Sequence, residues 1–200
     1  MIASSLANYT ILNVAGMLTK GLVAQSALIV KAGKNLNIGD YQLQSVTFGN
    51  NLFVAVGNYG IIKTSTDGRT WTSRTSNADS GAYLYEVIYA NNMFVAVGDK
   101  ENILTSPDGI TWTKVFSGTS STLNAVTFGN NLFVAGGTNT PVTSTDGITW
   151  TRQASSPLGG VRKIVFGNNT FVAFNNNGFY SASTDGINWT QQTSPAKTNL

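Results

Sequence analysis

Between residues 43 and 193 short apolar runs alternate with pairs of turn-forming residues. In the first stretch Val46-Thr47-Phe48 leads into Asn50-Asn51, and Asn tolerates the left-handed backbone that a tight hairpin needs. The next run, Leu52 to Val56, is apolar without alternation. Both of its faces must therefore be covered, as happens when sheets stack face to face. Ile61-Ile62-Lys63-Thr64 predicts a third strand, and an Asp67-Gly68 turn leads to a fourth that starts at Trp71.

The series then returns three times. Ser65-Thr66-Asp67-Gly68-Arg69-Thr70-Trp71 is echoed at Ser106 to Trp112, at Ser144 to Trp150 and at Ser183 to Trp189, with the tryptophans 41, 38 and 39 residues apart. Phe53, Phe94, Phe133 and Phe171 form a second anchor, each seven residues after Val46, Val87, Val126 and Ile164. Asn pairs recur at Asn91-Asn92, Asn130-Asn131 and Asn168-Asn169. A period near 40 residues containing four short antiparallel strands describes one propeller blade. The predicted fold is all-β: a four-bladed β-propeller of four-stranded antiparallel blades, with repeats at about 41–80, 81–120, 121–158 and 159–195. Four blades either close alone or supply half of a larger ring made by two subunits.

Residues 1–40 differ, being dense in Leu, Ile, Val and Ala without Trp or Phe. The first basic residue, Lys20, follows the start of the apolar stretch, which does not suit a secretory signal. Lys20 and Lys31 leave too short an apolar interval for a membrane span. Met17, Leu18, Leu22 and Ile29 share one helix face, yet Ala27 to Val30 also reads as a strand. Either way the segment is expected to be a docking or oligomerisation arm, buried against the propeller, a sister chain or another protein.

Composition narrows the chemistry. Charged residues are 10% of the 200, against roughly 25% in an average soluble protein. Cys and His are both absent, which excludes disulfides, thiolate or imidazole metal sites and Ser-His or Cys-His catalysis. The net charge of +3 is spread over scattered basic residues, so no nucleic-acid footprint is expected.

The Ser/Thr-x-Asp…Trp turns resemble the Asp-box, or BNR repeat, of sialidase-type and related β-propellers, over residues 43–193. The usual box places a residue between Asp and Gly. Here Asp67-Gly68, Asp108-Gly109, Asp146-Gly147 and Asp185-Gly186 are adjacent, a tighter form similar to arrays in bacterial surface and phage virion proteins. A sialidase would need clustered arginines, a Tyr–Glu nucleophile pair and an acidic acid/base across six blades. This chain has Arg69, Arg74, Arg152 and Arg162, and its glutamates are Glu86 and Glu101. No enzymatic activity, catalytic residue, metal or cofactor is expected.

The repeat residues Asp67, Trp71, Asp108, Trp112, Asp146, Trp150, Asp185 and Trp189 invite a metal or catalytic reading, but turn chemistry supplies a structural one. An Asp before Gly accepts backbone N–H groups two residues on, and the Gly supplies the positive φ. Each tryptophan is expected to pack between blades, removing about 150–250 Å² from water, an upper bound of roughly 4–6 kcal/mol.

Variation among the repeats points to a binding face. The Asn-Asn and Asp-Gly turns share one rim and scarcely change. The opposite rim carries the loops between the second and third strands, which vary, and loops on a rigid scaffold carry function. Candidate residues are Asn58, Tyr59, Asp99, Lys100, Glu101, Asn139, Thr140, Asn175, Asn176 and Asn177. Neutral drift in exposed loops explains the same variation. Tyr59, Tyr83, Tyr85, Phe179 and Tyr180 beside Asn and Thr resemble sugar-site chemistry, though Tyr85 and Tyr180 are equally core candidates.

The expected function is that of a non-enzymatic structural or adhesive phage virion protein. Its partners would be other virion proteins, through the arm, and a host-surface glycan or protein; a homo-oligomer is also expected. The competing readings are a secreted or surface carbohydrate-binding lectin and an intracellular assembly factor.

Overall fold

The computed structural model describes residues 42–138, 141–153, 160–175 and 179–192. The arm assigned to residues 1–40 lies outside them. The described chain forms four sheets, each of four antiparallel strands in sequence order. Blade 1 comprises β1 (Leu43–Gly49), β2 (Leu52–Gly57), β3 (Ile62–Ser65) and β4 (Thr72–Arg74). Blade 2 comprises β5 (Leu84–Ala90), β6 (Met93–Gly98), β7 (Ile103–Ser106) and β8 (Thr113–Val115). Blade 3 comprises β9 (Leu123–Gly129), β10 (Leu132–Gly137), β11 (Val142–Ser144) and β12 (Thr151–Arg152). Blade 4 comprises β13 (Val161–Gly167), β14 (Thr170–Asn175), β15 (Tyr180–Ser183) and β16 (Thr190–Gln192). The all-β, four-bladed propeller read from the repeats is the observed fold.

Each first strand is longer than its apolar triplet suggests, because pairing with the second strand extends back past a register shift, between Leu43 and Ser45 in β1. Each fourth strand begins one residue after its tryptophan, which is held by the turn. The Asn pairs make the hairpins: Asn50 and Asn51 have φ of 47° and 57°, and the other three pairs repeat these angles closely.

Register separates two faces. Val46 pairs with Ala55 and Phe48 with Phe53, on what we call the leading face; Thr47 pairs with Val54 and Gly49 with Leu52 on the trailing face. The core consists of layers in which one blade's trailing face meets the next blade's leading face. Val54, Val56 and Ile62 of blade 1 pack with Val87, Phe94 and Trp112 of blade 2. Ile88, Val95 and Val97 of blade 2 pack with Val126, Phe133 and Trp150 of blade 3. Ala125 and Val134 of blade 3 pack with Ile164, Phe171 and Trp189 of blade 4. Small residues set the spacing on the inner strands. A Cβ at Gly49 would lie 2.0 Å from Cγ of Tyr89, and one at Gly129 would lie 2.1 Å from Cγ of Phe166.

Trp112 is 1% exposed and touches both blades of its layer, so Trp112→Ala is expected to lower unfolding free energy by about 3–5 kcal/mol in urea titrations. Ile110→Ala, two residues away in the exposed turn, is expected to change it by less than about 0.5 kcal/mol. Equal effects at the two positions would contradict this layer as the source of stability.

Candidate functional site

The two rims of the blades are built differently. On the rim of Asn-Asn and Asp-Gly turns, each Asp-Gly turn closes on itself. Asp67 Oδ1 accepts the N–H groups of Arg69 at 2.8 Å and Thr70 at 2.7 Å, and Ser65 Oγ accepts the Gly68 N–H at 2.8 Å. Asp108, Asp146 and Asp185 repeat the pattern with their own neighbours. Gly68, Gly109, Gly147 and Gly186 take φ of 68°, 73°, 76° and 73°, angles a side chain rarely adopts. Trp112, Trp150 and Trp189 donate Nε1–H to the carbonyls of Gly109, Gly147 and Gly186. Trp71 is the exception, with a buried Nε1 that has no partner among the described residues. The four carboxylates thus sit one per turn, and no cluster of three or more metal-ligating side chains occurs among the described residues.

The opposite rim is held by ties between its loops and the connecting segments. In blades 1, 2 and 3 the loop after the second strand bonds to the chain entering that blade: the N–H of Asn58 reaches Gln42 O, that of Asp99 reaches Tyr83 O, and that of Thr138 reaches Thr122 O. Between blades 1 and 2 the ties multiply. Asp99 Oδ1 accepts the Tyr83 N–H at 2.7 Å, and Lys100 Nζ donates to Ser80 O at 2.7 Å. Asn102, fully buried, donates Nδ2–H to Asp99 O at 2.8 Å and accepts the Asp79 N–H at 3.1 Å. Lys114 pairs with Asp79 at 2.6 Å.

On this frame stands a run of tyrosines. Tyr59 lies edge-on to Tyr83 at 5.5 Å, and Tyr83 edge-on to Tyr85 at 6.5 Å. A hydrogen bond with Tyr59 is the main cause raising the Tyr83 phenol, and burial is the main cause raising that of Tyr85. Tyr59 is 60% exposed with φ of 58°, and Lys100 and Glu101 also have positive φ, at 50° and 63°. Such backbone, costly for non-glycine residues, concentrates at binding and switch regions.

Of the candidate residues, the structure brings Asn58, Tyr59, Asp99, Lys100 and Glu101 to one stretch of rim, joined through Tyr83. Asn175 instead closes its own loop on blade 4, where its Oδ1 accepts the Phe179 N–H at 3.0 Å. Asn139, Thr140, Asn176 and Asn177 lie outside the described residues. Asn102 and Asp79 escaped the sequence reading, because neither occupies a position that the repeats share.

Glu86 is buried on β5, where its Oε2 accepts the Val126 N–H at 2.9 Å and its Oε1 pairs with Lys163 of blade 4. Burial raises its carboxyl, and Lys163 and the Val126 amide oppose that rise. Ser45, at the same repeat position, accepts the Val87 N–H at 3.2 Å. The position therefore serves to link inner strands.

Residues 30–123 and again 116–200 match the profile described as the DUF6242 beta propeller domain. No curated protein matches the sequence. Among solved structures, the computationally designed Ika4 protein is similar at 17% identity and TM-score 0.59, over 74% of this chain and 94% of that one. YCF48 bound to D1 peptide is similar at 18% identity and TM-score 0.63, over 81% of this chain and 59% of that one. An ancestral GH74 enzyme is similar at 20% identity and TM-score 0.61, over 77% of this chain but 24% of its own. The chain thus spans less than two thirds of the YCF48 chain and about a quarter of the GH74 chain, and the shared property is the fold.

Hydrogen-bond donors hold the turn carboxylates low, the Asn188 side chain first for Asp185 and backbone amides for the others: for Asp146 the Thr149 and Ile148 amides bring it from 3.8 to about 2. A carboxyl lowered in the folded state stabilises it above the ordinary value, and that contribution is lost as pH falls toward the folded value. Thermal melts are therefore expected to show stability falling between about pH 4 and 2, with a shallower fall in Asp146→Asn, whose Oδ1 still accepts both amides. Glu86 acts in the opposite sense: its raised carboxyl favours the folded state least once ionised. A melting temperature flat across that acid range would contradict the turn carboxylates' contribution.

Proposed function

This chain belongs to the DUF6242 beta propeller domain family, and on that premise we propose that it is a non-enzymatic recognition propeller, a structural or adhesive protein of a phage particle. It offers the rim between blades 1 and 2 to its partner. The observation that carries this reading is the Tyr59–Tyr83–Tyr85 run on the cross-tied loops. Tyr59 is exposed yet propped by Tyr83 and fixed by its backbone, so a ligand that stacks on it orders little that is not already ordered. Asn58 and Asp99 stand beside it with amide and carboxylate groups, chemistry that suits a sugar or a polar protein surface.

The engagement of the four turn aspartates and of Glu86 in structural bonds favours binding over hydrolysis, which asks for two carboxylates facing one substrate. The virion setting draws on the short Asp-Gly form of the Asp-box-like turn, the absence of Cys and His, and the apolar residues 1–40 as the arm that docks to other virion proteins.

Two measurements test the proposal. Deleting residues 1–40 is expected to abolish incorporation into particles while leaving the β circular dichroism of the propeller; normal incorporation would remove the arm's role. On a glycan array, saturable binding of the free chain to sugars would assign it to the competing class, a lectin. In either class Tyr59→Ala is expected to weaken rim binding by about tenfold or more with no change in folding. Undiminished binding would move the site elsewhere.

A further inference from the structure

We propose that the leading face of blade 1 and the trailing face of blade 4 are the two halves of one seam, and that a second copy of this chain closes it. Two chains then join both sets of four blades head to tail in one closed series. The three layers inside the chain define what each half lacks. On leading faces, Tyr89 and Phe166 lie over Gly49 and Gly129, and Phe128 shares its layer with Ala90. Phe48, their counterpart on blade 1, belongs to no apolar layer among the described residues and is 48% exposed.

The trailing face of blade 4 shows the converse. Gly167, the counterpart of Gly49 and Gly129, has nothing within 4 Å of a notional Cβ. Val165 and Phe174 are 37% and 46% exposed, where their counterparts in blade 2, Ile88 and Val97, are 9% and 0%. The turn glycines agree. Gly109, Gly147 and Gly186 press on Leu52 and Val54, on Met93 and Val95, and on Val134 and Leu132 of the preceding blade, whereas Gly68 meets Phe53 of its own blade alone.

Among the described residues, no apolar layer joins blade 4 to blade 1. A leading face fits a trailing face, and the trailing face left uncovered among the described residues is that of blade 4; a second copy supplies the matching surface for each. A head-to-tail contact either closes or propagates, and two copies offer two identical seams that close it. The charges on these faces permit sealing. Lys63, on the leading face of blade 1, extends outward to Ser73 Oγ at 3.2 Å, and Lys163 on blade 4 is paired with Glu86.

Sedimentation equilibrium of the full chain tests this. The expected mass is twice 21.2 kDa. Gly167→Val is the decisive variant, because its side chain enters open space on a strand and leaves the isolated chain folded, yet occupies the seat of Phe48. It and Phe48→Glu are each expected to weaken association about a hundredfold or more, with unchanged circular dichroism. A monomeric full chain overturns the proposal, as it would if residues 1–41 covered either face or the blades closed alone. So does a dimer indifferent to both variants, as an arm-mediated dimer would be, or an open-ended polymer.

Discussion

An aromatic side chain on one inner strand lies over a glycine or alanine on the strand before it, and the rest of the molecule is arranged to allow that approach. Tyr89 on Gly49 and Phe166 on Gly129 bring the first strands close enough for the valines of one blade to meet the phenylalanine and tryptophan of the next. Backbone hydrogen bonds within a sheet stop at its four strands, so cohesion between sheets comes mainly from these apolar layers, with side-chain bonds such as those of Ser45 and Glu86 added between inner strands. A side chain at the small position would meet a ring already fixed by its own packing, with nowhere to move.

The same geometry decides which parts of the chain vary. The Asp-Gly turns of blades 2, 3 and 4 lie against the preceding blade and hold the tryptophan through a glycine carbonyl, so their composition is constrained by packing as well as by backbone conformation. Among the described residues, the loops after the second strands are bonded chiefly to the chain entering their own blade and to the adjoining connection, and they are free to differ. Between blades 1 and 2 that freedom has produced a rim whose stiffness comes from polar ties. Buried Asn102 does there what apolar contacts do between the sheets, which lets the surface stay polar while its backbone holds unfavourable angles.

Much of this was legible in the residues. The Asn pairs, the Asp-Gly turns and the fixed offset from Val46 to Phe53 each have a local cause, and repetition turned local causes into an architecture. Strand limits were less legible: β3 runs Ile62–Ser65, not Ile61–Thr64, because its pairing with Phe53 to Val56 sets the register. The links of Ser45 and Glu86 to the next inner strand were hidden because a Ser, a Glu, an Ala and a Lys share one repeat position. Their common placement emerges only when the strands are assembled. Asn102 was invisible for a related reason, since its role depends on a connection whose length is peculiar to one pair of blades.

A series of equivalent interfaces also raises the question of its ends. Repeat proteins commonly finish with units whose outer face is polar. Here blade 1 keeps Phe48, Phe53 and Trp71 on its leading face, the set that the inner blades bury, and blade 4 keeps Val165, Val172 and Phe174 on its trailing face. Capping would replace such residues with polar ones, since nothing in the blade's own folding requires aromatic groups there. Their presence is what a series built to continue across its ends would keep. The indole of Trp71, half-buried and without the carbonyl partner of its three counterparts, belongs to the same unfinished layer.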